Sequence, residues 1–251
     1  MPPDKKNNIS KNTEKGNFAI IIPVYNHAQK IGDVIKSSLK LNMPVFVVND
    51  GSTDSTCDKI MSISGVSNLH HNENRGKGAA ITTGFAEAEK VADWAITIDA
   101  DGQHNPGDAL KMIQTIPDNE RPIVIGMREG MMGRDVPWTS RFGRKFSNFW
   151  VLLSGGPKMT DSQCGFRIYP LPESSDLKVI AERFQFEVEI LVKAGWKEIP
   201  VIECPVSVNY APKTERISHF RPFIDFLRNS GTFTRLIFQR ITIPSFIRKG
   251  R

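Results

Sequence analysis

The feature that most constrains the fold is an alternation of short apolar runs with helical patterns through the first half of the chain. The runs with the character of strands are residues 18–25, 45–49, 66–71, 94–98 and 123–126. After the first run, apolar residues recur at helical spacing at Ile31, Val34 and Ile35. Strands that alternate with helices in this way are typical of a mostly parallel, doubly wound sheet flanked by helices. The sequence therefore predicts one α/β domain.

The second half of the chain is less regular. Its predicted elements are a helix at 141–153, loop and strand at 159–169, a helix at 184–194, and strands at 196–204 and 206–210. Two earlier helices are predicted at 76–90 and 106–116. The sequence shows no internal repeat, so nothing in it predicts a second domain.

Three parts of different composition are predicted along the chain. Residues 1–17 are polar and lack the apolar stretch of a secretory signal, which predicts a disordered leader. Residues 18–212 form the predicted α/β domain, and residues 213–251 form a basic amphipathic segment. The longest apolar runs fall far short of the ~20 residues that a membrane span needs. The three cysteines are widely spaced and form no C-x-x-C pair, which indicates a reducing, cytoplasmic compartment.

Positive charge is concentrated at the C-terminus. The formal net charge is +6, whereas residues 213–251 hold nine Lys or Arg against two acidic residues, a net +7. Apolar residues interleave with arginines through residues 220–239. A basic segment on a nearly neutral body indicates an anionic partner. We interpret the segment as a peripheral contact with the inner face of a membrane, not with nucleic acid. A solvated tail, or a helix packed on the domain's own core, is the alternative.

Polar residues follow the predicted strands at the point where each strand ends. They are Asn26, Asn49 and Asp50, residues 74–77, and Asp99 and Asp101. In an open parallel sheet, ligands bind beyond the carboxyl ends of the strands. We therefore expect these side chains to gather along one edge, as a charged nucleotide ligand requires.

Asp99 and Asp101 form the sharpest of these motifs. Two carboxylates separated by one residue at a strand end can bind one hard divalent cation, and Mg²⁺ or Mn²⁺ suits oxygen ligands and bridges to a diphosphate. Alone, D-x-D is a common turn pattern. His104, three residues further on, is interpreted as a polar surface residue and not as a ligand.

The Gly76-Lys77-Gly78 segment raises the alternative of a phosphate-binding loop. A dinucleotide fingerprint would need Gly or Ala where Ile81 stands, and no G-x-x-x-x-G-K-[ST] sequence occurs in the chain. A kinase or a dehydrogenase is therefore disfavoured. The glycines are predicted to permit a tight strand-to-helix turn that places Arg75 or Lys77 near the ligand.

Four motifs in this order resemble those of the family 2 glycosyltransferases, which have the Rossmann-like GT-A fold. They are Pro23-Val-Tyr-Asn26, Val48-Asn-Asp50-Gly-Ser-Thr-Asp54, Asn74-Arg-Gly-Lys-Gly78 and Ile98-Asp-Ala-Asp101-Gly-Gln-His104. Segments 126–128, 161–167 and 186–189 resemble most the branch that transfers mannose or glucose to dolichyl or polyprenyl phosphate. The chain departs from that branch in having Cys164 where Ser is more usual, and in lacking the transmembrane helices of many members. It also lacks the Q-x-x-R-W motif of processive synthases.

The resemblance, together with the residues above, implies a set of roles. The expected donor-binding residues are Pro23, Tyr25, Asn26, Asp50, Arg75, Lys77 and Asp99. The expected ligands of Mg²⁺ or Mn²⁺ are Asp99, Asp101 and Gln103, and the expected catalytic residues are Asp101, Asp161 and Arg128. The expected acceptor-binding residues are Arg167, Glu187 and Arg221.

The implied reaction is an inverting transfer of a hexose from a UDP- or GDP-linked donor. The cation and Arg128 would stabilise the departing diphosphate. A polyprenyl-phosphate acceptor is already anionic and needs no general base, whereas a saccharide or lipid hydroxyl does. Asp161 is the first candidate for this base, and Glu187 or Glu189 is the second. The alternative for these two glutamates is a salt bridge on a helix face.

Two other classes of protein fit part of the pattern. A nucleotidyltransferase also uses paired aspartates with a divalent cation, but it would show a Gly-rich basic loop after the first strand. This chain has Pro23-Val-Tyr-Asn26 there. A catalytically inactive, basic binding module is the other class, and the intact D-x-D motif argues against it.

Overall fold

A seven-stranded sheet forms the centre of the protein. The computed structural model describes residues 15–129, 138–209 and 222–250. The strands are β1 (Phe18–Val24), β2 (Val45–Asp50), β3 (Ser67–His71), β4 (Trp94–Thr97), β5 (Ile123–Arg128), β6 (Arg167–Pro170) and β7 (Val201–Val206). Their order is β3-β2-β1-β4-β6-β5-β7, with β6 antiparallel to both neighbours and the other pairs parallel. The predicted mostly parallel α/β sheet is confirmed.

Helices flank the sheet. They are α1 (Ile31–Leu39), α2 (Thr56–Met61), α3 (Lys77–Ala88), α4 (Ala109–Gln114), α5 (Trp138–Leu153), α6 (Phe186–Trp196), α7 (Pro222–Thr242) and α8 (Ser245–Gly250). The helix predicted at 106–116 is a 3-10 turn, Pro106–Asp108, followed by α4. A second 3-10 turn spans Ser175–Leu177. The alternation predicted for the first half of the chain is therefore correct.

The prediction of two strands within residues 196–210 is wrong. Helix α6 continues to Trp196, and the chain then turns through Glu198, whose φ of 58° is left-handed. Strand β7 crosses the predicted boundary between the two strands. After it, the amide of Asn209 donates to the carbonyl of Gln103 at 2.8 Å and joins no strand. A short apolar run that contains a helix end and its turn looks like a strand in sequence.

Strand β1 is buried on both faces, which explains its continuous apolar run. Ile20, Ile21 and Ile22 are fully buried, and burial of one such side chain stabilises the fold by about 1.5–3 kcal/mol. A methyl group at Gly84 of α3 would overlap with Ile21, so glycine allows this helix to lie directly on the sheet. This close packing holds the first turn of α3, with Lys77, at the carboxyl edge of the sheet.

Contacts with the sheet begin before the predicted start of the domain. The carbonyl of Lys15 accepts from Trp94 Nε1 at 2.9 Å. The amide of Asn17 donates to Asp93 Oδ2 at 2.8 Å. Residues 1–14, most of the predicted disordered leader, lie outside the described residues, so that part of the prediction stays a prediction.

One face of α7 packs on the domain. Phe233 and Leu236 are buried, and the Phe233 ring stacks on Trp150 of α5 with ring centroids 6.2 Å apart. Arg235 Nη2 lies 2.6 Å from Glu189 Oε2 of α6. For this face, the alternative prediction of packing on the domain's own core is correct.

Candidate active site

The D-x-D motif lies at the carboxyl end of β4, in the middle of the sheet. Thr97 Oγ1 donates to the carbonyl of Gly165 at 2.7 Å, which ties the end of β4 to the loop before β6. Asp101 Oδ1 accepts from the amide of Gln103 at 3.0 Å across Gly102. The φ of Gly102 is 72°, a left-handed conformation that favours glycine. This turn holds the Asp101 carboxylate beside the strand end.

Lys77 joins two carboxylates at this edge. Its Nζ lies 2.5 Å from Asp99 Oδ1 and 2.5 Å from Glu187 Oε1. Lys77 begins α3 and Glu187 lies in the first turn of α6, so three elements meet at one ammonium group. Burial acts to lower the pKa of Lys77, but the two carboxylates outweigh it and hold the pKa above its ordinary value. These three charged residues are called the Lys77 cluster below.

The two aspartates of the motif differ in their affinity for protons. Burial acts to raise the pKa of Asp99, but Lys77 more than offsets this and the pKa is lowered. For Asp101, burial and the negative charge of Asp99 raise the pKa to about 6. Within the described ranges, no three His, Cys, Asp or Glu side chains form a group that could by itself hold a metal ion. Mg²⁺ commonly binds through one or two carboxylates plus water and phosphate oxygens, so the residues present fit such a cation.

Arg128, at the end of β5, is held by Asp161. Its Nε lies 2.7 Å from Asp161 Oδ2 and its Nη2 lies 2.8 Å from Oδ1, a bidentate pair. Glu203 of β7 fixes the Asp161 loop by accepting from the amides of Thr160 and Asp161, each at 2.9 Å. Asp161 is fully buried, while the Arg128 side chain is 18% exposed. The pair therefore orients one guanidinium, whose charge acts to lower the pKa of Asp101.

Asn26 follows β1 at the carboxyl edge of the sheet. Its φ of 53° is left-handed, and its Oδ1 accepts from the amide of Thr53 at 2.8 Å. The backbone amide of Asn26 donates to Ser52 Oγ at 3.0 Å. These bonds hold the turn after β2 against the end of β1. The predicted donor-binding residues Pro23 and Tyr25 lie at the same strand end.

Asp50 holds the turn that leads into α3. Its Oδ1 accepts from His71 Nδ1 at 2.7 Å and from the amide of Arg75 at 2.9 Å, and its Oδ2 accepts from the amide of Gly76 at 2.7 Å. The Arg75 side chain extends toward Glu182, with Nη2 3.6 Å from Oε1. Asp50 thus positions the start of α3, and its predicted contact with the donor stays a prediction.

The sequence matches the family described as Glycosyl transferase family 2 over residues 19–170. The chain belongs to this family. It is 31% identical over 216 residues to the UDP-N-acetylglucosamine–dolichyl-phosphate N-acetylglucosaminyltransferase of Methanococcus voltae, with 76% of this chain and 85% of the relative covered. It is 27% identical to the dolichol-phosphate mannosyltransferase of Pyrococcus furiosus, with 84% of this chain and 62% of the relative covered. The predicted resemblance is confirmed, and the protein is a glycosyltransferase.

A solved structure identifies the fold of this glycosyltransferase. It is the glucosyl-3-phosphoglycerate synthase from Mycobacterium tuberculosis in complex with Mn²⁺, UDP and phosphoglyceric acid. The two structures match with a TM-score of 0.71 at 18% identity, and the match covers 97% of this chain and 85% of the other. The predicted GT-A fold is confirmed.

Arg167, which was predicted to bind the acceptor, lies inside the protein. Its Nε donates to the carbonyl of Cys164 at 2.7 Å, Nη2 to that of Ser162 at 2.8 Å, and Nη1 to that of Glu187 at 2.9 Å. The residue is fully buried. It supports the backbone next to Asp161, and this burial argues against the predicted direct contact with an acceptor.

Glu189, the second candidate for the base together with Glu187, forms ion pairs that stabilise the fold. It is fully buried and accepts from the amides of Ile180 and Ala181, each at 3.1 Å. Lys193 Nζ lies 3.1 Å from Oε1 and Arg235 Nη2 lies 2.6 Å from Oε2. Burial acts to raise the pKa of Glu189, but these donors lower it below the ordinary value. For Glu189, the salt-bridge alternative is correct.

The sequence interpretation missed His104. The glycosyltransferase buries this residue beside the D-x-D turn, where its ring packs on Phe166 with centroids 5.4 Å apart. Its Nε2 lies 3.8 Å from Cys164 Sγ, and burial lowers its pKa. The prediction of a surface residue is wrong. The sequence signal that could have indicated its burial is its position three residues after Asp101. Its partners, Cys164 and Phe166, come from a distant part of the chain.

Two further predicted residues keep their roles as predictions. Gln103 lies in the D-x-D turn directly after Gly102, and its carbonyl accepts from Asn209, so the chain after β7 passes this turn. Arg221 lies outside the described residues, and its predicted place at the acceptor is untested.

Proposed function

We propose that this glycosyltransferase moves a hexose from a UDP- or GDP-linked donor to a polyprenyl phosphate of the dolichyl type, with inversion at the anomeric carbon. The observation that carries the proposal is the charge arrangement at the carboxyl edge, where Asp99 and Asp101 lie beside Lys77 and Arg128. Carboxylates and fixed cations at one edge suit a nucleoside diphosphate with its metal ion. Relatives named for dolichyl or dolichol phosphate support the acceptor class.

The proposed catalysis is mainly electrostatic. Asp99, Asp101 and Gln103 would hold Mg²⁺ or Mn²⁺, which supplies positive charge to a departing diphosphate. The raised pKa of Asp101 supports this assignment, because a cation would relieve its repulsion with Asp99. Arg128 would contribute a second positive charge, already oriented by Asp161. Fixed charges aimed at the leaving group lower the barrier because they need no reorganisation as charge develops.

The state of the candidate bases favours a phosphate acceptor over a hydroxyl. Both oxygens of Asp161 accept from Arg128, and Glu187 Oε1 accepts from Lys77. A carboxylate paired with a cation takes up a proton less readily. A polyprenyl phosphate brings its own anionic oxygen and needs no base. Transfer to a saccharide or lipid hydroxyl, the second candidate, would require one of these ion pairs to open.

We propose a membrane surface as the location of the lipid acceptor. Helices α7 and α8 leave Phe238, Ile241 and Phe246 exposed, and α5 adds Phe149 and Leu153. We propose that these five residues, called the apolar face below, meet the lipid together. Apolar side chains that stay exposed beside Lys and Arg are typical of helices at a lipid interface. Within the described ranges, no helix has both the length and the apolar content to cross a membrane.

The test of the reaction combines donor, acceptor and metal. Purified protein is incubated with UDP- or GDP-hexoses and a short-chain polyprenyl phosphate, in Mn²⁺, in Mg²⁺ or in EDTA, and products are identified by mass spectrometry. We expect a hexosyl phosphodiester with at least one donor, lost in EDTA and restored by added metal. Proton NMR of the product should show the anomeric configuration opposite to that of the donor.

A matched acceptor series separates the two candidate functions. The same prenyl chain is offered as a phosphate and as an alcohol, with a free saccharide as a third acceptor. Transfer to the alcohol or the saccharide, but not to the phosphate, would contradict the lipid-phosphate proposal. Full activity in EDTA would contradict the cation, whatever the acceptor.

A further inference from the structure

A cationic cleft lies at the opposite end of α6 from the Lys77 cluster. Its volume is about 420 Å³, and its lining includes Lys178, Lys193, Lys197 and Arg248 around Trp196. Glu187 and Trp196 are nine residues apart in α6, which separates the two sites by about 14 Å along the helix axis. The cleft is thus distinct from the D-x-D edge.

The residues that line this cleft carry positive charge without a matching negative charge. Among the described residues that line it, four are Lys or Arg and none is Asp or Glu. Lys193 is held by Glu189 and by the carbonyl of Lys178, with its Nζ 2.6 Å from that oxygen. Arg248 lies over the Trp196 ring at 5.3 Å from its centroid. Glu189 balances the charge of Lys193, but the remaining cations around a volume of this size repel one another, and a bound anion would relieve that repulsion.

Helix capping alone does not explain this arrangement. Cations near the C-terminus of a helix stabilise it, and Lys193 lies in the last turn of α6. Lys178, however, follows the second 3-10 turn, and Arg248 belongs to α8. Cations from three separate elements therefore meet at a single helix end.

The cleft also has an apolar side. Trp196 and Ile243 contribute to its lining. Ile241 and Phe246 of the apolar face lie two and three residues from Ile243 in the chain and are exposed. The cleft thus combines basic side chains that suit an anion with an apolar wall whose Ile243 is close in the chain to exposed apolar residues. An anionic headgroup carried on acyl chains has this combination of properties.

We propose that the cleft binds the phosphate of an anionic phospholipid headgroup and so orients the protein with its apolar face toward the membrane. The volume falls in the range of pockets that enclose small ligands. The proposal rests on the membrane part of the proposed function. It requires neither sugar transfer nor a cation at the D-x-D edge.

The experiment measures co-sedimentation with vesicles of neutral phosphatidylcholine, with or without anionic phosphatidylglycerol. The test variant is Lys178→Gln with Lys197→Gln. The control variant is Lys36→Gln with Lys59→Gln, which removes the same charge from two exposed lysines of α1 and α2. We expect the test variant to lose about tenfold in affinity for anionic vesicles, and the control variant clearly less, at equal ionic strength and equal melting temperature.

Three outcomes would overturn the proposal. Equal losses in the two variants would indicate diffuse attraction without a defined cleft site. A lowered melting temperature of the test variant, with unchanged vesicle binding, would show that the lysines only stabilise the fold. Calorimetric binding of inorganic phosphate by a protein that ignores anionic vesicles would assign the cleft to a soluble phosphate compound.

Sugar transfer is measured on the same variants with a detergent-dispersed, short-chain acceptor. We expect it to be unchanged in both, because the cleft is remote from the D-x-D edge. Wild-type protein that binds anionic vesicles through the cleft but transfers no sugar would contradict only the proposed reaction. Wild-type protein that transfers sugar but ignores anionic vesicles would overturn only the cleft.

Discussion

Proteins usually bury apolar side chains and expose charged ones. The carboxyl edge of the sheet buries charged side chains, whereas the apolar face exposes apolar ones. At the edge, charged groups are largely removed from water, with the side chains of Lys77 and Asp161 15% and 0% exposed. On the apolar face, Ile241 and Phe246 are 78% and 72% exposed. Buried charges and exposed apolar patches are both unusual in an isolated protein. These departures support the proposed charged ligand at the edge and the proposed lipid surface at the apolar face.

Helix α6 connects these two regions. Glu187, in its first turn, contacts Lys77 at the edge, whereas Glu189, two residues later, contacts Arg235 of α7. Glu189 also accepts from the amide of Ala181, in the segment that packs against the start of α3. The ion pairs of one helix therefore support both the carboxyl edge and the C-terminal helices. The following substitutions separate these contributions.

The largest effect is expected for Lys77→Met. The substitution leaves the carboxylates of Asp99 and Glu187 close together without their shared cation. Removing one partner of a buried ion pair destabilises a protein by about 3 kcal/mol or more. Urea denaturation should show this loss, and adding Glu187→Gln should recover part of it. Lys90→Met is the control, because its pair with Glu87 is exposed and contributes at most about 1 kcal/mol. Equal effects in the two variants would contradict the cluster.

Asp101→Asn is expected to damage activity and spare the fold. Loss of one proposed metal ligand should reduce sugar transfer at least about 100-fold. The raised pKa of Asp101 means that its ionisation opposes folding, so the amide should not lower the melting temperature. Calorimetric titration with Mn²⁺ should show weakened binding. Asp118→Asn, at an exposed carboxylate, is the control. Retained Mn²⁺ affinity in Asp101→Asn would remove Asp101 from the metal site.

The strand ends at the carboxyl edge were predictable from sequence because they depend on local order. A D-x-D pair directly after a buried strand must lie at the carboxyl edge of a parallel sheet. The partners across the site were not predictable in this way. Contacts of Lys77 with Glu187, and of Arg128 with Asp161, depend on β6 lying between β4 and β5, and no local pattern encodes that order.

The C-terminal segment shows the opposite limit of sequence interpretation. Its interleaved apolar and basic residues predicted an amphipathic segment, and helices α7 and α8 lie in that segment. This pattern did not predict which apolar residues are buried, since apolar residues occur on two faces of α7. Phe233 is buried by Trp150, whereas Phe238 is 66% exposed, and only tertiary contacts distinguish them.

A smaller effect is expected for Glu189→Gln, with a defined pH dependence. The folded pKa of Glu189 is lowered, so its ionised form stabilises the fold above the ordinary value of 4.5, and this contribution is lost as pH falls through the folded pKa. At neutral pH, the variant should be less stable by about 1–3 kcal/mol. The difference should shrink as the pH is lowered below that ordinary value. Urea denaturation from pH 7 to pH 3 measures it. A difference that does not change with pH would contradict the ion pair.

The smallest change in stability is expected on the apolar face. Ile241→Ser with Phe246→Ser removes apolar surface that contacts water in the free protein, so the free energy of unfolding should change by less than about 0.5 kcal/mol per site. Leu236→Ser, on the buried face of α7, should lower the free energy of unfolding by about 2–5 kcal/mol. This contrast separates the two faces of α7.

Vesicle binding should respond to the two exposed substitutions in a way that folding does not. The apolar side chains would leave water only at a lipid interface, so Ile241→Ser with Phe246→Ser should weaken sedimentation with anionic vesicles by about tenfold. High salt should also weaken the binding of wild-type protein to anionic vesicles, because salt screens its basic residues. If the variant binds vesicles as the wild type does, these residues do not enter the interface. Attachment would then depend on the cationic cleft and its charge alone.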